Sequence, residues 1–406
     1  MIRNVTKKFH KSFKDIGLSK IVEVSEKINK IAPEFEQRTG KSFIRFQRGE
    51  LDFSTPFYIL DELMRIVYGK GKTNYPKSGG ERVLKHAILN YLSEWIGIKG
   101  IDEDNIVCTY GGQEGLQLIF CLFRGQRVAA FSPCWSCMLD NIFPYAEIKP
   151  ILIPLEEVGN QIVFDSNRLE EVLKRVDLFY LNSPHNPTGK VFSFEELDSI
   201  NFLCKKNNVL IISDEPYKDI VYDGKKHISM LEFDNPDSIS VFSFSKSFAA
   251  TGLRIGYSIS RNKKIIEAMT KGDYTQTAAV VTPIQYAFAE ALNNKKERDT
   301  WLKSFIKSLQ KRRNIVYDGL KNFFDEIYKP EGAFYFFPNL KKFYPSVDIR
   351  AIDSCILKSF LENGIGIVPG SAFGKNYAGY IRISFSAIEE NLIKEGINRI
   401  IKVLKK

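Results

Sequence analysis

Histidine is scarce, with four in 406 residues, and none has ligand spacing near the cysteines. Cys134 and Cys137 form a lone CxxC in SPCWSC, and a zinc site of that kind needs a second pair. A redox pair following the apolar run RVAAF and a coincidence of two core cysteines both stay open. Cys108, Cys121, Cys204 and Cys355 are scattered, several of them in apolar runs, which suits buried thiols in a reducing cytoplasm. No apolar run approaches the roughly 18–20 residues of a membrane span. The N-terminal MIRNVTKKFHKSFKD is basic but lacks the apolar core of a secretory signal. Internal repeats and low-complexity segments are missing too.

What is present is a soluble, globular composition, 44% hydrophobic and 26% charged, long enough for two domains. The formal charge of +10 raises the question of nucleic acid or an anionic membrane. Its distribution argues against both. Residues 1–50 carry +6 and residues 391–406 carry +4, while the 340 residues between them hold 41 charges of each sign.

Short β-rich runs alternate with helical patterns through the middle of the chain. Strands are predicted at 105–110, 127–131, 178–182, 209–213, 238–245 and 254–260, with helices at 112–123, 193–207 and 262–272. This alternation predicts an α/β fold with a mostly parallel sheet covered on both faces. A long charged amphipathic helix is expected over 295–324, leading into an α+β region. Near the N-terminus, Phe9, Phe13 and Ile16, then Ile21, Val24, Ile28 and Ile31, have helical spacing. That helix is expected to pack on the C-terminal region or on a partner subunit.

Four segments bear chemistry. In SFSKSFAATGLRIGY, Lys246 directly follows an apolar strand, with Ser243 and Ser245 before it and Arg254 eight positions on. Desolvation disfavours an ammonium there, and such a lysine forms Schiff bases with carbonyl compounds. A plain surface lysine fits the segment equally. LNSPHNPTGKVFS presents Asn182 and Asn186 on a rigid turn at a strand end, where open α/β sheets bind ligands; it also reads as an ordinary turn. VLIISDEPY ends an apolar strand at Asp214, with Tyr217 three residues on. A buried carboxylate needs a cationic or donor partner, and a helix N-cap is the alternative. In TYGGQEGLQLIF, Gly112 and Gln113 open a helix whose free N–H groups favour an anion.

Together these segments resemble the class I/II aminotransferases, pyridoxal-phosphate enzymes of fold type I with an aspartate aminotransferase-like architecture. The ordered matches run from FQRGELDFSTP through KTNYPKSGGERVLK, YGGQEGL, SPCWS, NSPHNPTG, SDEPY, SFSKSFAATGLRIGY, PEGAFYFFP and GIGIVPGSAFG to RISFS. The resemblance implies a large cofactor domain over 51–299 with a seven-stranded, mostly parallel sheet. It also implies a small α+β domain over 300–406 and an N-terminal segment, 1–50, packed with it. Lys246 is implied to hold pyridoxal 5′-phosphate as a Schiff base and to move the proton. Asp214 is implied to keep the pyridine nitrogen protonated, and Asn186 with Tyr217 to bond the ring's 3′-oxygen. Gly112, Gln113, Ser243, Ser245 and Arg254 are implied to cradle the phosphate, and Trp135 to stack on the ring. Arg382, with the backbone at Gly49, is implied to bind the substrate α-carboxylate. Tyr75 is implied to reach the cofactor phosphate of a neighbouring subunit, which makes a homodimer with shared sites.

The departures lie near the substrate. The family's usual GEPD reads Gly49-Glu50-Leu51-Asp52 here, and the preceding IAPEFEQRTGKSFIRFQ bears on the entrance. The resemblance implies a cytoplasmic, ping-pong aminotransferase for an L-amino acid and a 2-oxo acid, with no nucleic-acid or membrane partner. A lyase, decarboxylase or amino-acid oxidase on the same scaffold is the alternative. A non-catalytic regulator is disfavoured, since the residues before Phe46 are too few for a winged helix and linker. Because both basic ends are implied to lie beside the site, KM for anionic amino acids is expected to rise with ionic strength. Salt-independent kinetics with such donors would dismiss that field effect.

Overall fold

The computed structural model describes residues 10, 16–324 and 327–405. Phe9 and Phe13, part of the helical spacing near the N-terminus, lie outside the described residues. A seven-stranded sheet forms the centre. Its strands are β1 (Ile106–Thr109), β2 (Val128–Ser132), β3 (Ile151–Pro154), β4 (Leu178–Asn182), β5 (Leu210–Asp214), β6 (Ser238–Ser243) and β7 (Gly256–Ile259). Their order is β1-β7-β6-β5-β4-β2-β3. Only β7 runs antiparallel to its neighbours in this sheet. The fold is therefore α/β with a mostly parallel sheet. All of the anticipated strands form. β3, which lies at the sheet's edge with Ile151 partly in solvent, was not among them. ILIP is short and ends in proline, so it carries little strand signal.

Successive residues of the central strands enter different cores, as the twofold period of a strand requires. Tyr180 and Ile212 pack with Leu116, Ile119 and Phe120 of helix α2 (Gly111–Leu122). Phe179, Leu181 and Ile211 pack instead with Leu197 and Ile200, from the helix over Phe194–Lys206. Both faces are covered, which is why these strands read as continuous apolar runs.

The C-terminal region has its own antiparallel sheet of Tyr335–Phe336, Ile381–Ser384 and Val368–Pro369. Its helices are α3 (Lys295–Leu320), α4 (Ile352–Glu362) and α5 (Glu390–Leu404). Their shared core holds Phe305, Leu309, Phe360, Ile383 and Ile397, and takes in Ile44 and Phe46 from near the N-terminus. Ile44–Arg45 pairs in parallel with Ile365–Gly366. Helix α1 (Lys20–Thr39) buries Ile28, Ala32 and Phe35 beside Phe43 and Leu361. This helix thus packs on the chain's own C-terminal region. Among the described residues, no helix is long and apolar enough to cross a membrane.

One close backbone approach positions the site. At Gly256, the first residue of β7, an added Cβ would lie 2.5 Å from the Phe242 carbonyl oxygen and 2.9 Å from the Gly112 nitrogen. Only glycine lets strand β6 and the start of α2 meet there. Gly256→Ala is expected to destabilise the protein by about 1–3 kcal/mol, the ordinary cost of overpacking. A lower melting midpoint would show it; an unchanged midpoint would mean that the backbone yields freely.

Candidate active site

The carboxyl ends of β4 and β5 make one wall. Their parallel register sets Asn182 beside Asp214. Asn182 Nδ2 donates to Asp214 Oδ2 at 3.2 Å and to the Asp214 carbonyl at 2.9 Å. Tyr180 Oη donates to Asp214 Oδ2 at 2.8 Å. Asp214 is 4% exposed, and these direct partners are neutral donors. Burial pushes its carboxyl up to about 7; the Tyr180 bond acts the other way, and nearby Glu215 adds to the rise. A turn follows Asp214, so it caps no helix. Tyr217 leaves that turn buried and exchanges a 2.9 Å hydrogen bond with Tyr335 Oη.

Positive charge and free N–H groups gather at the opposite end. Helix α2 opens at Gly111, whose φ is +76° and whose added Cβ would stand 2.9 Å from Arg254 Nη2. Arg254 itself has φ +50°. Its guanidinium is aimed by bonds to the Thr251 carbonyl at 3.0 Å and the Tyr110 carbonyl at 3.3 Å. Ser243 caps the short helix Phe244–Ser247, accepting from the Ser245 N–H at 3.2 Å. Ser245 Oγ is buried with no partner. A helix start, a serine pair and an arginine together form a site for a multiply charged anion.

Lys246 lies between the two ends, partly buried, and its Nζ donates to the Gly49 carbonyl at 2.9 Å. Burial lowers its ammonium to about 8; Arg382 and Arg254 push the same way and Glu50 opposes them. Arg382 is 1% exposed and sandwiched between Tyr335 and Phe373, 4.4 and 5.1 Å from their ring centroids. Its Nη1 donates to Asn186 Oδ1 at 3.2 Å and its Nη2 to the Gln47 carbonyl at 3.0 Å, while Nε is unpartnered.

A cavity of about 280 Å³ joins these groups. Gly49, Gly112, Gln113, Trp135, Asn186, Asp214, Tyr217, Ser243, Ser245, Lys246, Arg254 and Arg382 all line it. Tyr75 does not. It is 92% exposed and borders a separate surface hollow with Tyr110 and Thr282. Cys134 and Cys137 are buried free thiols on either side of Trp135, and no metal-holding cluster occurs among the described residues.

Three neighbours escaped the sequence reading. Tyr180 bonds Asp214; its place two residues before Asn182 on one strand put both on one face, a signal that was available. Tyr335 was hidden in the aromatic run GAFYFFP. Ile21 reaches the cavity from α1, and nothing local to it points there.

A bound pyridoxal phosphate suits this donor set. The buried carboxylate has only neutral hydrogen-bond donors, and a protonated pyridine nitrogen would supply the missing cation. The phosphate would meet Arg254, the α2 amides and the orphaned Ser245 hydroxyl, with the lysine amine between the two ends. Sheet and site together define a fold type I pyridoxal-phosphate enzyme. Within that class the chain belongs to the family described as aminotransferase class I and II, whose family model matches residues 41–400. It is 32% identical to the aspartate aminotransferase of Pyrococcus horikoshii, covering 96% of this chain and 95% of that one. It is 36% identical to the (5-formylfuran-3-yl)methyl phosphate transaminase of Methanocaldococcus jannaschii, with 90% and 93% covered. The solved structure of an aspartate aminotransferase from Thermotoga maritima superposes with a TM-score of 0.85 at 29% identity, covering 98% of this chain and all of that one. The protein is a pyridoxal-phosphate-dependent aminotransferase.

The apoprotein should report the strain at Asp214. Its folded value near 7 exceeds the ordinary 3.8, so between those pH values the native state holds the extra proton. Stability therefore falls as pH rises through that window. Asp214→Asn removes the fall, leaving apoprotein at pH 8 more stable than the parent by up to about 4 kcal/mol. Melting curves of both apoproteins from pH 4 to 8 test this, and parallel curves would contradict it.

Proposed function

We propose that the chain moves an amino group from an L-amino acid to a 2-oxo acid in two half-reactions at one site, with Lys246 as the residue that holds the cofactor and transfers the proton. The observation that carries this is the placement of Lys246 Nζ in one cavity with the buried Asp214, the Arg254 cradle and Arg382. When bound, pyridoxal phosphate supplies an electron-withdrawing ring that stabilises negative charge at the substrate Cα. Asp214 holds the positive charge of the ring nitrogen. Asn186 and Tyr217 donate to the 3′-oxygen, and Trp135 covers a ring face. Gly112, Gln113, Ser243, Ser245 and Arg254 hold the phosphate.

Arg382 binds the α-carboxylate as a planar fork, beside the backbone of Gly49. The substrate Cα–H is thereby directed toward Lys246 Nζ. Lowering the amine to about 8 raises the share of its neutral form at physiological pH far above that of an ordinary lysine, and that form accepts the proton. None of these contacts selects a side chain, and the names of the relatives put aspartate first on a panel of donors.

The reading includes a homodimer. Phe57, Met64, Tyr68, Tyr75 and Tyr274 are exposed aromatic or apolar side chains, and burial of such groups drives association. Tyr75 would then reach the phosphate of the neighbouring site. A large domain over 51–299, a small one over 300–406 and an N-terminal segment packed with the latter complete the reading. Free, mostly buried cysteines support a cytoplasmic location.

Incubation with an amino donor and 2-oxoglutarate or pyruvate should give a new amino acid and a new 2-oxo acid in equal amounts. Ammonia or hydrogen peroxide without a new amino acid would sink the reading in favour of another reaction on the scaffold. The purified protein should be yellow and lose its visible band on borohydride reduction. Lys246→Ala should abolish the covalent, reducible cofactor link; its retention would move the role to another residue.

A further inference from the structure

Behind the cavity, the turn bearing Lys246 is tied to a buried ion pair that the reaction does not use. Lys218 and Asp219 have side chains only 8% and 12% exposed. Lys218 Nζ lies 2.7 and 2.8 Å from the two Asp219 oxygens and donates to Tyr91 Oη at 2.5 Å. Its ammonium faces the rings of Tyr91 and Trp95, 4.4 and 4.6 Å from their centroids. Tyr91 Oη donates to Asp219 Oδ1 at 3.1 Å. The remaining contact leaves the pair: Ser247 Oγ donates to Asp219 Oδ2 at 2.5 Å.

Ser247 is the residue after Lys246 and the last of the helix Phe244–Ser247. Four residues are too few to hold helical geometry unaided. Outside bonds fix this turn. Besides the Asp219 bond, Trp301 Nε1 donates to the Ser247 carbonyl at 2.8 Å. Thr55 Oγ1 donates to the carbonyl of Ala249 at 3.0 Å, a residue held at φ +48°. Stability does not account for the ion pair, because well-packed apolar groups usually serve as well in such a place. Its placement does account for it. A carboxylate gripped on both oxygens by Lys218 and on Oδ1 by Tyr91 is a rigid acceptor, and its Oδ2 also takes the hydroxyl of the residue beside the cofactor lysine.

We propose that Asp219, clamped by Lys218 and Tyr91, is a positioning residue that sets the direction of the Lys246 side chain through the Ser247 hydroxyl. This rests on the reading that Lys246 holds the cofactor. Loss of the Ser247–Asp219 bond lets the turn rotate and misdirects Nζ relative to the fixed Asp214 and Arg254 ends, without removing any group that touches substrate.

The test uses the holoenzyme as purified. Ser247→Ala removes the hydroxyl and leaves the ion pair intact, Ser247→Thr retains a hydroxyl, and Asp219→Asn weakens the acceptor. The main readout is the pH midpoint of the visible band in enzyme without substrate, followed by kcat and KM for a turned-over amino acid. Ser247→Ala is expected to move the midpoint by about 0.5 pH units or more. It should lower kcat about tenfold, with KM changed less than about threefold and the apoprotein melting within a few degrees of the parent. Ser247→Thr should restore the midpoint. Combining Ser247→Ala with Asp219→Asn should lower kcat no further than Asp219→Asn does alone, because both remove one bond. If Asp219→Asn fails to fold with Lys218 left unpaired, the Ser247 variants decide. An unmoved midpoint in Ser247→Ala, or one that Ser247→Thr does not restore, would overturn the proposal. So would multiplicative losses in the double variant. Each of those results leaves the Lys246 assignment standing, since that assignment fails only if Lys246→Ala keeps a reducible link.

Discussion

The Asp214 carboxylate is buried among neutral donors, and the rest of the site is arranged around that uncompensated charge. Tyr180 and Asn182 both donate to its Oδ2 without neutralising it. Burial still dominates and raises the carboxyl to about 7. A group held in this way disfavours the empty fold and favours any ligand that brings a cation to it. The sheet supplies the necessary rigidity. Asp214 and Asn182 are register partners at adjacent strand ends, so neither can withdraw to solvent without disrupting the β4–β5 pairing. Under the proposed reading, stability given up by the empty protein would become affinity for a pyridinium in the filled one.

The opposite end repeats this logic with the sign reversed. Arg254 is turned back onto the first residues of α2 by carbonyl acceptors, in a backbone conformation rarely used by arginine. Glycine at 111 and 256 removes the side chains that would hold the guanidinium and β6 away from the helix start. Lys246, placed between an anion and two arginines, is held well below an ordinary lysine by burial and by Arg382. Arg382 is fully enclosed yet keeps its charge over two aromatic faces, and its Nε has no partner. A planar, delocalised cation tolerates that enclosure better than an ammonium does.

Much of this arrangement was legible in the sequence because the signals were local. β-rich runs punctuated by turn residues located the inner strands, and Lys246, Asp214 and Arg254 stand at the ends or starts of such runs. The twofold period could have added Tyr180. What stayed hidden depends on contacts between distant segments. Tyr335 meets Tyr217 and Arg382 only after the C-terminal sheet has folded. Ile21 joins the cavity because the start of α1 packs on Val368, Ala372 and Phe373. β3 is a short edge strand with a weak apolar pattern. The Lys218–Asp219 pair reads in sequence as two ordinary surface charges, since nothing local shows that Tyr91 and Trp95 will cover it.

Part of the basic excess of the two ends lies within the described residues. Helices α1 and α5 both pack on the C-terminal region, and Ile21 of α1 lines the cavity. Yet the cationic side chains lining that cavity are Lys246, Arg254 and Arg382. The proposed function gives each of them a task at the cofactor or the α-carboxylate. Among the described residues of one chain, no further cation lines the cavity to meet a second carboxylate directly. The described cations of α1 and α5 do not line the cavity, so they act on a substrate through solvent, where physiological salt screens charge within about 8 Å. Their field influences how fast an anion arrives more than how tightly it is held. Within the proposed homodimer, tight discrimination of a side-chain carboxylate would fall to a group brought by the neighbouring subunit, since the lining of this cavity supplies no further cation.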